Sequence, residues 1–292
     1  MATFERASGA IYFEDEGEGS TVVLTHGYTA HAESWAFQRR EFAARHRVIV
    51  WDVPGHGPST WAEERCGAPT IDGYADALRD LLDARGIARA HVVGLSMGGM
   101  ITLAFAIRHP GRSSSVVLSD TAAVRVPFAM RVAFRAMGWL GARGVPAPAR
   151  NVAFRGLGKA IAGDDVEHLG SEELAVVKLA VSRHQHRDQV LRAAAALAAC
   201  PDRTAALASV AVPALVIAGG RDAILAQSLA MHRALPRSEM VVLDGSLHGT
   251  AVNRPRAWNT VVLDFVDRVD RGEAIGGVRA IGVGSDGGRK GG

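Results

Sequence analysis

Cysteine is nearly absent: only Cys66 and Cys200 occur in 292 residues. They lie far apart and show no metal-type spacing. This excludes a disulfide framework and a cysteine-based metal knuckle, and it suits a reducing compartment. Aromatic residues make up just 6%, too few for a base-stacking platform. Charge of one sign is also lacking, since 33 Lys and Arg oppose 30 Asp and Glu for a formal +3. With the basic residues spread out, no nucleic-acid partner is expected. No apolar run approaches the ~20 residues that span a bilayer. The opening MATFERASGA has no basic head before an apolar stretch, so neither a signal peptide nor a membrane partner is expected. Together these absences predict a soluble, cytoplasmic protein.

What is present points to a large core. The chain is 48% hydrophobic and 22% charged, which is near the upper size for one domain and unlike a disordered chain. Short apolar runs recur at 10–13, 21–25, 47–51, 91–94, 115–118, 214–218 and 240–243. Most are rich in Val, Ile and Leu without clean alternation, as in strands buried on both faces. Helical patterns fall between them, at 74–85, 97–108, 227–234 and 256–268. This alternation predicts an α/β fold with a mostly parallel sheet and helices on both sides. The first two runs, separated by EDEGEGS, read as an antiparallel lead-in.

Residues 122–203 break the pattern. They read as helices alone, at 127–140, 149–161, 171–182 and 188–199, punctuated by stretches such as GARGVPAPAR. A helical insertion between two strands predicts a lid over the ligand edge of the sheet. The core is then expected at 1–121 and 204–271. From residue 272 the chain is glycine-rich, GEAIGGVRAIGVGSDGGRKGG, and a flexible tail is expected over 272–292.

One stretch makes a geometric demand. VGLSMGG carries three glycines within the six residues 94–99, immediately after an apolar run and before a helical pattern. Ser96 therefore occupies a sharp strand-to-helix corner. A side chain there is held in a strained conformation and lifted above the sheet edge, and the flanking glycines allow the backbones to approach closely. The N–H of Met97 falls at a helix N-terminus, which favours developing negative charge. Such a corner exposes a nucleophile and supplies half of an oxyanion hole.

The G-x-S-x-G pattern resembles the nucleophile elbow of the α/β-hydrolase superfamily, and the likeness runs from about Ile11 to Arg268. VLTHG at 23–27 resembles that family's strand and oxyanion loop. DVPGHGPS at 52–59 resembles its D-x-P-G-x-G-x-S turn. GGRD at 219–222 resembles the loop with the acid, and GSLHG at 245–249 the loop with the base. The pieces GLSMGGM and LSDTAA are most similar to hydrolases of the 3-oxoadipate enol-lactonase type, which carry a four-helix lid. The resemblance implies an eight-stranded sheet, Ser96 as nucleophile, His248 as base and Asp222 as orienting acid. It also implies the backbone N–H groups of Tyr28 and Met97 as oxyanion donors. Asp120, after the run at 115–118, is the rival acid, and Asp202 and Asp244 are weaker candidates.

Other residues have plainer readings. His26 and His56 are read as structural, His91 as the start of a strand and His109 as a helix C-terminus. His168, His184 and His186 fall in the insertion. Trp35, Trp51 and Trp61 are read as packing residues, and Met97, Met100 and Met130 as core fillers before pocket liners. Arg125, Arg131 and Arg135 form a solvated face before a carboxylate clamp. Asp52 ties down its own turn, and no metal-ligand spacing is found.

The implied activity is hydrolysis of a small-molecule ester or lactone through an acyl-enzyme, with neither cofactor nor metal. Serine at the elbow counts against the dehalogenases and epoxide hydrolases of this fold, which use aspartate. Carbon–carbon bond hydrolysis and cofactor-free perhydrolysis remain on the same triad. The first ranks lower because HGYTA differs from the HGxGP loop of such enzymes. A non-catalytic small-molecule receptor is the reading from another class. A homodimer is compatible with the chain, though no motif demands one.

Overall fold

The computed structural model describes residues 2–143 and 187–282. Nine strands form one sheet: β1 (Ala2–Arg6), β2 (Gly9–Glu16), β3 (Thr21–Thr25), β4 (Arg47–Trp51), β5 (Ala90–Leu95), β6 (Ser113–Ser119), β7 (Ala214–Gly219), β8 (Ser238–Leu243) and β9 (Gly277–Ile281). Their order is β1-β2-β4-β3-β5-β6-β7-β8-β9. All neighbours from β4 to β9 pair in parallel, while β1–β2 and β2–β4 are antiparallel.

Two expectations are corrected here. Among the described residues the sheet has nine strands, not eight. The lead-in is antiparallel, but β2 pairs with β1 and β4, because both edges of β3 are taken by β4 and β5. The extra strands are the edges. β1 is largely exposed, so the sequence ATFER has no apolar face to betray it. β9 lies inside the segment expected to be a flexible tail. There VRAI pairs in register with β8, and Arg279 forms an ion pair with the buried Glu239. Glycine-rich flanks hid that short β-forming stretch, whose ladder caps an otherwise open edge. Residues 283–292 of the expected tail lie outside the described residues.

The central strands are buried on both faces, and their side chains alternate between two cores. On β5, Val92 packs with Leu78, Leu81, Ile101 and Phe105, whereas Val93 packs with Trp35, Phe42, Trp258 and Phe265. The same alternation separates Val23 from Val22 and Leu24, and Ile49 from Val48 and Val50. Period-two alternation with both faces apolar produces the continuous Val/Ile/Leu runs seen in sequence.

Helices α1 (Ala36–Ala43) and α9 (Pro255–Asp270) cover one face. Helices α3 (Ile71–Ala84) and α4 (Met97–Arg108) cover the other, and the short α2 (Glu63–Cys66) precedes α3. In α3, Ile71, Tyr74, Ala75, Leu78, Leu81 and Leu82 are buried at helical spacing. Thr70 starts that helix by accepting from the Gly73 N–H at 2.9 Å. Each fully buried Leu contributes about 1.5–3 kcal/mol.

Between β6 and β7 the described residues form α5 (Phe128–Ala142) and α6 (Arg187–Ala199). The two pack closely: a Cβ on Gly138 would sit 3.1 Å from Ala195 Cβ, and one on Gly141 2.7 Å from Leu191 Cβ. The expected helices at 149–161 and 171–182 lie outside the described residues. Helix α7 (Leu225–Ala234) follows β7, and α8 (Thr250–Asn253) leads into α9. Among the described residues no helix is long and apolar enough to cross a membrane.

Candidate active site

The site lies at the C-terminal edge of the parallel strands. β5 ends at Leu95 and α4 begins at Met97, leaving Ser96 alone in the corner with φ +55°. That conformation is costly for a non-glycine residue and is held by its surroundings. The Ser96 N–H donates to the Ser119 carbonyl at 2.8 Å, and the Ser96 carbonyl accepts from Thr121 Oγ1 at 2.9 Å. Glycine is obligatory on both sides. A Cβ on Gly94 would lie 2.1 Å from the Gly98 carbonyl oxygen, and one on Gly98 2.1 Å from that of Thr25.

Three distant side chains meet here. The Ser96 hydroxyl lies 2.9 Å from His248 Nε2, and His248 Nδ1 lies 3.0 Å from Asp222 Oδ2. A carboxylate only accepts, so Nδ1 carries the proton and donates to Asp222. Nε2 is then left to accept from Ser96. The Asp222 side chain is 1% exposed and that of His248 is 25% exposed, so the base opens outward and its partner does not. Asp222 Oδ1 also accepts from the Ile224 N–H at 3.1 Å. Asp222 thus closes a local turn ahead of α7, whose N-cap is Ile224, with one oxygen and meets His248 with the other.

Burial alone would lower the basicity of His248. The hydrogen bond to Asp222, with the charges of Asp120 and Asp222, outweighs it and raises the net pKa above 6.5. The rival acid, Asp120, makes no hydrogen bond to His248. It is fully buried beneath the site, and its carboxylate accepts from Thr250 and Gly219. Asp202 accepts from Thr204 and Arg125 backbone N–H groups, away from the histidine.

The loop after β3 passes directly over the elbow. A Cβ on Gly27 would meet the Leu95 carbonyl oxygen at 3.4 Å and Ser96 Cβ at 3.5 Å, so the loop passes within a methyl group's reach of the serine. The N–H groups of Tyr28 and Met97 have no acceptor among the described residues. His26 fixes this loop. Its Nδ1 donates to the Gly27 carbonyl at 2.8 Å, and its Nε2 accepts from the Val53 N–H at 2.9 Å. The buried Tyr28 ring meets His56 and, at 6.0 Å between centroids, Phe134 on α5.

The remaining residues singled out by sequence fall elsewhere. Asp52 accepts from the Ala32 N–H at 2.6 Å, and burial pushes its pKa up to about 7. Trp35 and Trp51 are core residues, and Trp61 packs edge-on against Tyr74. The Arg131 guanidinium lies over Phe128 on its own helix, and Arg135 is exposed. His168, His184 and His186 lie outside the described residues. Among the described residues no group of three or more His, Cys, Asp or Glu is placed to hold a metal ion. Sequence reasoning missed Ser119, Thr121 and Thr250, the hydroxyl residues that brace the elbow and the histidine loop. Their only signal was small polar residues at the end of β6, two residues beyond it, and at the start of α8.

Comparison with known proteins bears on the fold and the family. The family model for the alpha/beta hydrolase fold matches residues 20–255. A Pseudomonas putida relative, the dihydrolipoyllysine-residue acetyltransferase component of an acetoin cleaving system, is 32% identical over 87% of this chain. The chain spans 66% of that relative's length. A second P. putida relative is 28% identical and is covered to 91%, with 88% of this chain aligned. It is a 2-hydroxy-6-oxononadienedioate/2-hydroxy-6-oxononatrienedioate hydrolase. Among solved structures, an esterase from Thermogutta terrifontis superposes with TM-score 0.81 at 26% identity, covering 92% of this chain and 99% of the other. The enol-lactonase from Burkholderia xenovorans LB400 gives 0.76 at 26% identity, covering 89% and 97%. An elbow serine beneath a glycine-bearing loop, on a mostly parallel sheet that matches this family along most of its length, leaves one assignment: the chain is an enzyme of the α/β-hydrolase fold family.

Proposed function

We propose that the protein is a serine hydrolase that cleaves a carboxylic ester or lactone through an acyl-enzyme on Ser96. The observation that carries this reading is the unbroken hydrogen-bonded line Ser96–His248–Asp222 at a strained corner. Serine is a weak nucleophile at its own pKa and needs such a base, itself oriented by an acid. His248 Nε2 takes the hydroxyl proton as Oγ attacks the carbonyl carbon. Asp222 holds the tautomer and balances the imidazolium. The Tyr28 and Met97 N–H groups receive the oxyanion, each worth roughly 10²–10³ in rate in such sites. His248 then protonates the leaving alcohol and activates water for deacylation. The segment 122–203, whose α5 places Phe134 against Tyr28, acts as the lid and shapes the acyl pocket.

A carbon–carbon bond hydrolase on the same three residues is the second reading. It is favoured by the relative whose name specifies a keto-dienedioate and no ester. The discriminating experiment is a substrate panel of p-nitrophenyl esters of increasing chain length, lactones, and 6-oxo-dienoates, run beside fluorophosphonate labelling. Ester or lactone turnover, with labelling lost in Ser96→Ala, supports the proposal. Turnover of the keto-acids alone moves the assignment to the second reading. Absence of both turnover and labelling makes the protein a binding module.

A further inference from the structure

A second carboxylate lies under the triad. Asp120 follows β6 directly, has no exposed surface, and adopts φ +47°. Its Oδ2 accepts from the Thr250 N–H at 2.8 Å, the Thr250 hydroxyl at 2.7 Å and the Ser119 hydroxyl at 3.2 Å. Its Oδ1 accepts from the Gly219 N–H at 3.3 Å. Thr250 stands two residues after His248, and Gly219 three residues before Asp222. One carboxylate thus joins the two loops that carry the base and its acid partner. Ser119 extends the network, receiving the Trp258 indole N–H at 3.1 Å.

The chemistry of the donors bears on its charge. Each oxygen faces a backbone N–H, which can only donate, so the set fits an ionised carboxylate. Among the described residues no lysine or arginine pairs with it. A buried carboxylate held by neutral donors alone is expensive, and an uncharged side chain would be the cheaper way to tie two loops. Burial, helped by the charge of Asp222, holds its pKa above the ordinary carboxylate value, while the His248 imidazolium and the Thr250 hydrogen bonds pull the other way, so the charged form is favoured when the imidazolium forms.

We propose that Asp120 is a positioning residue for the reaction: its buried carboxylate fastens the Asp222 loop and the His248 loop to the end of β6, and its charge sustains the imidazolium formed when Ser96 is deprotonated. The inference rests on the serine-hydrolase reading of the site. The titratable groups facing the His248 ring are Asp222 from the β7–α7 loop, Asp120 from the end of β6, and the Ser96 hydroxyl from the elbow.

The test is Asp120→Asn in the full chain, followed by kcat, KM and a pH profile with p-nitrophenyl acetate. Near-isosteric replacement keeps the volume and removes the charge. The expected result is a kcat lower by roughly 10–100-fold, a KM within about twofold, and an acid limb of kcat/KM displaced to lower pH. An unchanged kcat, or a lowered kcat with an unmoved acid limb, overturns the proposal; the latter outcome leaves Asp120 a purely structural tie. Thr250→Val removes one donor and leaves the carboxylate, so it serves if the first variant fails to fold. A severalfold fall in kcat at constant KM is expected, and wild-type kcat would contradict the inference. Wild-type turnover, with its sensitivity to Ser96→Ala, is measured alongside. Loss there is a failure of the site reading, whereas normal wild-type turnover with an indifferent Asp120→Asn is a failure of this inference alone.

Discussion

Among the described residues, two Ser–His–Asp lines have nearly the same hydrogen-bond lengths and lie at opposite ends of the parallel strands. One is Ser96–His248–Asp222, at 2.9 and 3.0 Å. The other is Ser115–His91–Asp270, at 2.8 and 2.9 Å. Hydrogen bonding alone does not distinguish them. Ser115 sits inside β6 and His91 inside β5 beside a register shift, both fully buried and neither with a positive φ. Ser96 has the strained corner, a helix starting at the next residue and a loop of amides above it. The two histidines also diverge electrostatically. Burial dominates at His91 and lowers its pKa despite Asp270, whereas two carboxylates raise that of His248. A nucleophile therefore needs an exposed, pre-organised position, and the three residue types in sequence do not supply it.

The sharpest way to break this comparison is to remove each serine in turn. Ser96→Ala and His248→Ala should each lower p-nitrophenyl acetate turnover by about 10⁶-fold, and the double variant should be little worse than either, since such residues act as a unit. Ser115→Ala should leave kcat/KM within about twofold while costing about 1 kcal/mol of stability in denaturant titration. Next in size, Asp222→Asn should lower kcat by roughly 10⁴-fold, through the wrong histidine tautomer. His91→Ala removes the partner of Ser115 and one of the two partners of Asp270, which keeps the Ser20 hydroxyl. It should destabilise the fold by about 1–3 kcal/mol, read as a lower denaturant midpoint, with kcat retained.

The pH dependence should separate the two lines further. A raised histidine pKa adds stability below its unfolded value near 6.5, and that stability is lost as pH rises through the folded value. The lowered pKa of His91 works the other way: stability falls as pH drops below about 6.5, because the unfolded chain binds the proton more readily. A smaller acid-side loss in His91→Ala would sharpen the contrast, the remainder coming from His46 and His232, whose pKa values burial also lowers. Activity should show an acid limb above 6.5, set by His248. The smallest effect is expected at the sheet edge, where Arg279→Ala breaks a partly exposed ion pair and should cost at most ~1 kcal/mol.

These two regions also show what the sequence could reveal. The Ser96–His248–Asp222 line was legible because its residues stand in strand-end motifs with obligatory glycines. Gly94 and Gly98 mark a backbone approach that no side chain tolerates, and that requirement is written into the chain locally. The order Ser–Asp–His followed from the same motifs. Asp120 was readable as a carboxylate at a strand end, but its partners were not. Thr250 and Gly219 reach it only through the parallel stacking of β6 and β7, a tertiary fact. The Ser115–His91–Asp270 line was invisible for the same reason, with His91 and Asp270 drawn from elements 179 positions apart. The edge strands escaped because β1 and β9 bury little, and burial is what writes periodicity into sequence.

In the proposed reaction the Ser96 Oγ is the atom that carries the acyl group. Mixing the protein with p-nitrophenyl acetate, quenching in acid during the burst, and mapping the acetyl group by peptide mass spectrometry addresses this directly. One acetyl group on the peptide containing Ser96, absent from Ser96→Ala, is the predicted result. Acetylation at Ser115, or a burst that survives in Ser96→Ala, would contradict it.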